Sequence, residues 1–363
     1  MKIVICGGHL TPALALVEVL EDTKDLEILF FGRKFATEGY KILSAEYQTI
    51  SQKKIKFFPI TTGRLQRKFT KYTILSLLKL PLGFTQSFFY LVKTRPNLIV
   101  SFGSYLSVPI VFCGWLLGIK SLTHEQTVHS GLATRLNSLF AEKIFLSWPQ
   151  TEKFLPKEKC QLIGNLIRKS IFKRQAKVPQ IRRFLEKADH LIFVTGGNQG
   201  SHALNKMIFS LLDSVKKFQI LHQVGRTNFE GDLDKTKKIQ RTNYLVQDYI
   251  DSDDIGEVLN KAEVIICRSG ANTIWELAAL AKKSILVPLP IAGSNEQKIN
   301  AQILENAGSA IIINQSDLTP DKVLMALDKI LVSSSYQQAA LRFAKTIPLD
   351  ASRKLAKYIL KNN

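Results

Sequence analysis

Val264-Ile-Ile-Cys-Arg-Ser-Gly-Ala-Asn-Thr-Ile-Trp-Glu-Leu-Ala-Ala279 is the stretch from which the rest of this chain can be read. A short apolar run, Val264 to Cys267, meets Ser269-Gly270, and apolar residues then recur at helical spacing, which predicts strand, tight turn and helix. The turn sets a helix N-terminus at the mouth of a parallel sheet. Unpaired backbone N–H groups of Ala271 and its neighbours, with the positive end of the helix dipole, suit a phosphate there. Asn272 and Glu276 lie four residues apart on one helical face, with Thr273 beside them. A carboxylate one turn in from a phosphate site is placed to accept hydrogen bonds from a ribose diol. Downstream, Pro288-Leu-Pro-Ile-Ala-Gly-Ser-Asn-Glu-Gln-Lys-Ile-Asn300 adds the amides of Gln297 and Asn300, suited to sugar hydroxyls.

With 363 residues and 45% hydrophobic content, the chain has material for two domains with separate cores. Fifty Lys and Arg against thirty Asp and Glu give a net charge of +20, which speaks of partners more than of fold: nucleic acid, anionic lipid or a phosphorylated substrate. Cys6, Cys113, Cys160 and Cys267 are far apart and show no metal or disulfide spacing, the pattern of buried thiols in a reducing compartment. Met1-Lys-Ile-Val-Ile-Cys6 opens like a secretory leader, but Gly7-Gly-His9 and Glu18 interrupt the apolar region. We read it as a first strand and expect no cleavage.

Ile3 to Cys6 as strand, Gly7-Gly8 as turn and a helix from His9 with Pro12 in its first turn make a second anion site. His9, whose ordinary pKa lies near working pH, is the candidate general base; capping of the helix is the plainer role for a histidine in that place. Between Glu46 and Glu125 there is no acidic residue, while the span carries eleven Lys or Arg. Arg64, Arg67, Lys68 and Lys71 flank an apolar segment that includes Ile74, Leu78 and Phe84, a composition suited to an anionic bilayer surface at roughly 1 kcal/mol per basic residue near the lipid. Lys79 and Pro81 break this segment, and the uncharged run from Leu98 to Ile119 is divided by Ser101-Phe-Gly-Ser-Tyr-Leu-Ser-Val-Pro109. Neither is expected to span a membrane.

In the second half, His190 to Thr195 reads as a strand leading into Gly196-Gly-Asn-Gln-Gly-Ser201 and a helix, with glycines that let backbone approach a diphosphate. No acidic residue follows at the distance a NAD-binding motif requires. The basic, proline-containing Lys169 to Pro179 marks a change of composition expected of a hinge. Asp251-Ser-Asp253 has the spacing of a metal-binding pair, but no metal is expected here.

Cys267-Arg-Ser-Gly-Ala-x-Thr-x-x-Glu276, with Pro288, Gln297 and Asn300-Ala301, resembles the nucleotide-sugar motif of the MurG family, and the likeness runs over nearly the whole chain. Gly7-Gly-His9 with Pro12-Ala-Leu-Ala, His124-Glu-Gln126, Gly164-Asn165 with Arg168, and Gly196-Gly197 with Gln199-Gly200 also match. The chain departs from the family pattern in a shortened first glycine loop, in Thr127 where the family has Asn, in Leu166 for Pro, and in Asn198 for Ser.

The resemblance implies an α/β fold of the GT-B type, two Rossmann-like domains whose parallel sheets face each other across a cleft. The expected extents are 1–164 for an acceptor and membrane-association domain, 165–345 for a UDP-sugar domain, and 346–363 for a final helix returning to the first. It implies an inverting transferase moving N-acetylglucosamine from UDP-N-acetylglucosamine to a lipid-linked undecaprenyl diphosphate muramyl-peptide, without a cofactor, in peptidoglycan synthesis. Thr127, Arg168, Gly197, Asn198, Ile250, Ala271, Asn272, Thr273, Glu276, Gln297 and Asn300 would meet the UDP-sugar. Arg168 would clamp its diphosphate and Ile250 backbone its uracil, with Gly7, Gly8 and His9 at the acceptor. The same resemblance implies work at the anionic inner leaflet, as a peripheral protein on the cytoplasmic face of the cell membrane. The alternatives are a related transferase with another UDP-sugar or glycolipid, a non-catalytic membrane-bound relative, and nucleic-acid binding, which the interleaving of basic with apolar residues disfavours.

Overall fold

In the computed structural model, residues 1–35, 43–63, 71–290 and 295–362 are described, the side chains of 71–75 excepted. Arg64, Arg67 and Lys68 lie outside the described residues, as do the side chains of Lys71 and Ile74.

The chain divides into two units, one made of Met1–Arg168 and the stretch from Pro348 onward, the other of Lys169–Ile347. The first opens β1 (Lys2–Cys6), α1 (Leu10–Leu20), β2 (Glu27–Gly32), α2 (Ala45–Gln52), β3 (Lys56–Pro59) and α3 (Lys71–Thr94). It continues β4 (Leu98–Ser101), α4 (Ser107–Leu116), β5 (Lys120–Glu125), α5 (Leu132–Phe140), β6 (Lys143–Leu146) and β7 (Cys160–Leu162). The second opens α6 (Pro179–Glu186), β8 (Leu191–Thr195), α7 (His202–Leu211), β9 (Gln219–Gln223), α8 (Asp232–Lys237), β10 (Tyr244–Gln247) and α9 (Ile255–Lys261). It ends β11 (Val264–Cys267), α10 (Ala271–Ala279), β12 (Ser284–Leu286), α11 (Glu296–Asn306), β13 (Ala310–Ile312), α12 (Pro320–Val332) and α13 (Ser334–Ala344). The last helix, α14 (Ala351–Lys361), belongs to the first unit.

The strands pair in parallel, in the order β3-β2-β1-β4-β5-β6-β7 in one sheet and β10-β9-β8-β11-β12-β13 in the other. Central strands are apolar without alternation because both faces are covered. Ile3 and Ile5 of β1 pack into one core with α1 and with Leu355 and Ile359 of α14, while Val4 and Cys6 pack into another with Leu106, Ile110 and Val111. Burying each such side chain contributes about 1.5–3 kcal/mol, which is what fixes α14 to β1's own sheet.

Both sheets reverse their order between neighbouring strands, at β1 and β4 in one and at β8 and β11 in the other. Connections leave these pairs in opposite directions, so a crevice opens beyond the strand ends where backbone is free to meet a ligand. Gly7-Gly8 follows β1, Gly196–Ser201 follows β8 and Arg268–Gly270 follows β11, so the three turns singled out in the sequence stand at these two places.

The apolar segment expected to be broken at Pro81 is instead one continuous helix, α3, with Pro81 inside it. Proline removes the N–H that would bond one turn back. Past it the helix runs on, with Thr85 Oγ1 donating to the Pro81 carbonyl at 2.9 Å and Ser87 Oγ to that of Gly83 at 2.7 Å. Phe84, expected at the membrane, packs inward, its ring 5.5 Å from that of Phe112. Leu78 is 69% exposed. Among the described residues no helix is long and apolar enough to cross a membrane.

Candidate active site

In the second unit the turn after β11 opens α10 at Gly270, an N-cap residue that brings no side chain to the first turn. Ile274, Trp275, Leu277 and Ala278 are buried, which turns Asn272, Thr273 and Glu276 to the partly exposed face. Ala271 is buried, so only its backbone is placed to meet a ligand. Two residues of α11 brace the turn: Ser269 Oγ donates to the Gln297 carbonyl at 2.7 Å, and Asn300 Nδ2 donates to the Ser269 carbonyl at 3.3 Å. Gln297 Oε1 accepts from the Leu289 N–H at 2.9 Å. Asn300 is 1% exposed, and its Nδ2 positions Ser269.

The turn after β8 is shaped by glycines. Gly197 and Gly200 both have φ +85, and a Cβ at Gly200 would lie 2.1 Å from the Val224 carbonyl oxygen, so no larger residue fits. Gly197 N–H donates to Thr195 Oγ1 at 3.0 Å, and Asn198 lies partly exposed beside it. Ile250, after β10, is buried and its N–H donates to Gln223 Oε1 at 3.0 Å. Asp253 of the Asp-x-Asp sequence is paired at 2.8 Å with each of Lys173 and Lys177, which hold its carboxyl down at about 2. No group of three or more ligating side chains occurs among the described residues.

Arg268 was given no role by its sequence alone. Its guanidinium joins the two switch-point turns: Nη2 donates to Ser201 Oγ at 2.6 Å and to Gln315 Oε1 at 2.5 Å, and Nη1 to the carbonyls of Val287 at 3.0 Å and Pro288 at 3.3 Å. All four partners are neutral, and burial lowers its pKa to about 10. It remains a cation at neutral pH, and its charge, uncompensated by a carboxylate, favours an anion at either turn. Its place inside Cys267-Arg-Ser-Gly270 was the only available signal.

In the first unit Gly7 has φ +127 and lies against the backbone of Phe102 and Gly103, with Gly8 against Ser104. His9 occupies the N-cap position of α1 but makes no side-chain cap bond, which leaves the plainer reading of it without its contact. Burial holds its pKa below the ordinary 6.5, Glu125 opposes that shift, and Arg33 adds to it. Glu125 is buried, accepting at Oε1 from the Thr127 N–H at 3.1 Å and at Oε2 from the Gly131 N–H at 3.2 Å. Thr127 is 4% exposed, its hydroxyl 2.9 Å from Glu125 Oε1 and 2.7 Å from the His129 carbonyl. In this arrangement it holds Glu125. Arg168, half-buried, is the last residue of the first unit before the division.

Residues 6–146 match the model of the glycosyltransferase family 28 N-terminal domain, and residues 191–354 that of its C-terminal domain. A UDP-N-acetylglucosamine--N-acetylmuramyl-(pentapeptide) pyrophosphoryl-undecaprenol N-acetylglucosamine transferase of Treponema denticola is 33% identical over 87% of this chain and 83% of its own length. One of the same name from Clostridium kluyveri is 30% identical over 92% of both. Among solved structures, MurG of Acinetobacter baumannii superposes with a TM-score of 0.67 at 23% identity, covering 99% of both chains. UDP-GlcNAc 2-epimerase of Neisseria meningitidis, bound to UDP-GlcNAc, gives 0.69 at 13% identity over the whole of both.

Proposed function

This chain belongs to glycosyltransferase family 28, and we infer from that membership and from its two switch-point sites that it is the hexosyltransferase its relatives' names describe. It transfers N-acetylglucosamine from UDP-N-acetylglucosamine to the muramyl-peptide on undecaprenyl diphosphate in peptidoglycan synthesis. The observation that carries the donor assignment is the start of α10 at Gly270, at the switch point of the sheet, with Glu276 one turn in on its partly exposed face.

In the reaction we propose, a hydroxyl oxygen of the acceptor sugar attacks the anomeric carbon, the bond from that carbon to the UDP oxygen breaks, and the pair of electrons leaves with UDP. Configuration inverts. Charge growing on the leaving diphosphate meets the N–H groups of Asn272 and Thr273, with Arg268 behind them and Arg168 as a clamp. The two N–H groups and Arg268 are held within one unit by α10 and by the hydrogen bonds of the guanidinium, so little reorganisation is needed there. His9, held neutral, accepts the hydroxyl proton, and Gly7 and Gly8 approach the acceptor diphosphate. Glu276 takes the ribose diol, Ile250 backbone the uracil, and Gln297 the sugar. The test is turnover with a panel of UDP-sugars and the lipid-linked acceptor. UDP-N-acetylglucosamine is expected to be preferred, and equal turnover of UDP-glucose would overturn the donor assignment.

We place the protein peripherally at the anionic inner leaflet. Supporting this, Leu78 and Phe89 of α3 are 69% and 64% exposed, and Trp115 and Leu116 at the end of α4 are 53% and 59% exposed, on a unit rich in Lys and Arg. The Leu78→Asp/Phe89→Asp protein is expected to lose about tenfold in partition to phosphatidylglycerol vesicles, since removing two exposed apolar side chains from lipid costs at least about 1.4 kcal/mol. Sedimentation with vesicles measures it. Unchanged partition, with circular dichroism showing an intact fold, would rule out α3 as the lipid face.

A further inference from the structure

The segment Arg226 to Asp232, which joins β9 to α8, fastens together two parts of the second unit that the donor reading uses separately. In the sheet, β9 lies between β8 and β10, so the chain leaving β9 stands between the glycine turn and the Tyr249-Ile250 segment. Two contacts seat it on the first of these, and two more on the helix that follows that turn. The Arg226 N–H donates to the Asn198 carbonyl at 3.0 Å, and Thr227 Oγ1 donates to Gln199 Oε1 at 2.7 Å. His202, the first residue of α7, has Nε2 3.0 Å from Glu230 Oε2 and Nδ1 3.0 Å from Asp232 Oδ1.

The anchorage runs deep. Asp232 is fully buried, and its other oxygen accepts from Asn205 Nδ2 at 2.8 Å. Asn205 Oδ1 lies 3.0 Å from His222 Nε2, and His222 Nδ1 lies 2.9 Å from the Tyr244 hydroxyl on β10. The same segment holds Glu230 at φ +48 and Gly231 at φ +76, left-handed conformations that such fixed neighbours sustain. Towards the other side, the Arg226 guanidinium lies over the Tyr249 ring, 4.2 Å from its centroid, one residue before Ile250. Through its backbone on Asn198 and its side chain on Tyr249, Arg226 therefore touches both parts at once.

We propose that Arg226 is a positioning residue for the donor, setting the spacing between the segment that meets the base and the turn that meets the diphosphate of a uridine diphosphate sugar. The inference rests on the donor reading above. Spacing fixed in advance lowers the ordering cost only for a ligand that reaches both places. Arg226→Ala is thus expected to weaken UDP binding about fivefold, the size of a partly exposed cation–π contact, while uridine and inorganic pyrophosphate, which occupy one place each, change less than about twofold. Arg226→Lys, which keeps a cation over the ring, should stay near the parent. Tyr249→Leu should match Arg226→Ala, and the double variant should be no weaker than about fivefold, because both remove one contact.

Calorimetry with UDP, and competition for the two fragments, reads this out. UDP affinity unchanged in Arg226→Ala, uridine weakened as much as UDP, or a double variant weakened by the product of the singles would each overturn the proposal. In all three cases the parent still binds UDP. A parent protein that fails to bind UDP refutes the donor reading itself, which separates the two failures.

Discussion

Glu276→Ala is expected to bind UDP-N-acetylglucosamine about 100-fold more weakly than the parent protein, because a carboxylate accepting from both ribose hydroxyls makes two charge-assisted hydrogen bonds, each worth about 1.5–3 kcal/mol. Glu276 lies on the face of α10 that the core leaves partly exposed. Its backbone belongs to the helix whose N-terminus is offered to the diphosphate, so ribose and phosphate contacts are fixed to one rigid element. Glu276→Gln keeps the shape and one acceptor and should lose about tenfold, one strong hydrogen bond's share. Deoxy analogues sharpen the test. The 2′-deoxy donor should discriminate between parent and Glu276→Ala, binding more weakly to the first and equally to the second. A Glu276→Ala protein with the parent's affinity would remove the carboxylate from the donor site.

That carboxylate was legible in the sequence for a simple physical reason. Parallel strands buried on both faces must be apolar throughout, so Val264–Cys267, Leu191–Thr195 and Ile3–Cys6 announce themselves, and a turn residue after each marks where the chain leaves the sheet. Once strand, turn and helix are placed, four-residue spacing puts Asn272 and Glu276 on one face. What the sequence could not carry were contacts between distant residues. Arg268 and Ser201 are 67 positions apart and meet only because β11 lies beside β8. The bonds of Thr127 to Glu125 and of Asn300 to Ser269 were likewise not written in the sequence. A hydroxyl or an amide has the same composition whether it faces a ligand or a neighbouring backbone, and burial decides which. The helix through Pro81 escaped notice because proline propensity predicts a break there, whereas the chain loses only the bond that the absent N–H would make one turn back.

His9→Ala is expected to lower kcat by about 10²–10⁴, the span of a general base, while leaving the KM for UDP-N-acetylglucosamine within about threefold, since His9 belongs to the first unit and Glu276, Gln297 and Ile250, which carry the donor reading, to the second. The sign of the pH dependence follows from its surroundings. Burial disfavours the imidazolium most, the charge of Arg33 disfavours it further, and Glu125 pulls the other way without reversing the result, a pKa below 6.5. The base form is therefore fully present at pH 7 and is lost only as pH falls through that lowered value. The acidic limb of kcat/KM should consequently lie below pH 6.5 and be absent from the residual activity of His9→Ala. Arg33→Gln removes one lowering influence, so its limb should move up toward 6.5, whereas Arg33→Lys should leave it in place. A protein that merely needed the ring of His9 for packing would lose stability with each variant but would keep the parent's limb. An Arg33→Gln limb that stays where the parent's lies, together with a His9→Ala enzyme of parental kcat, would take the proton-accepting role away from His9.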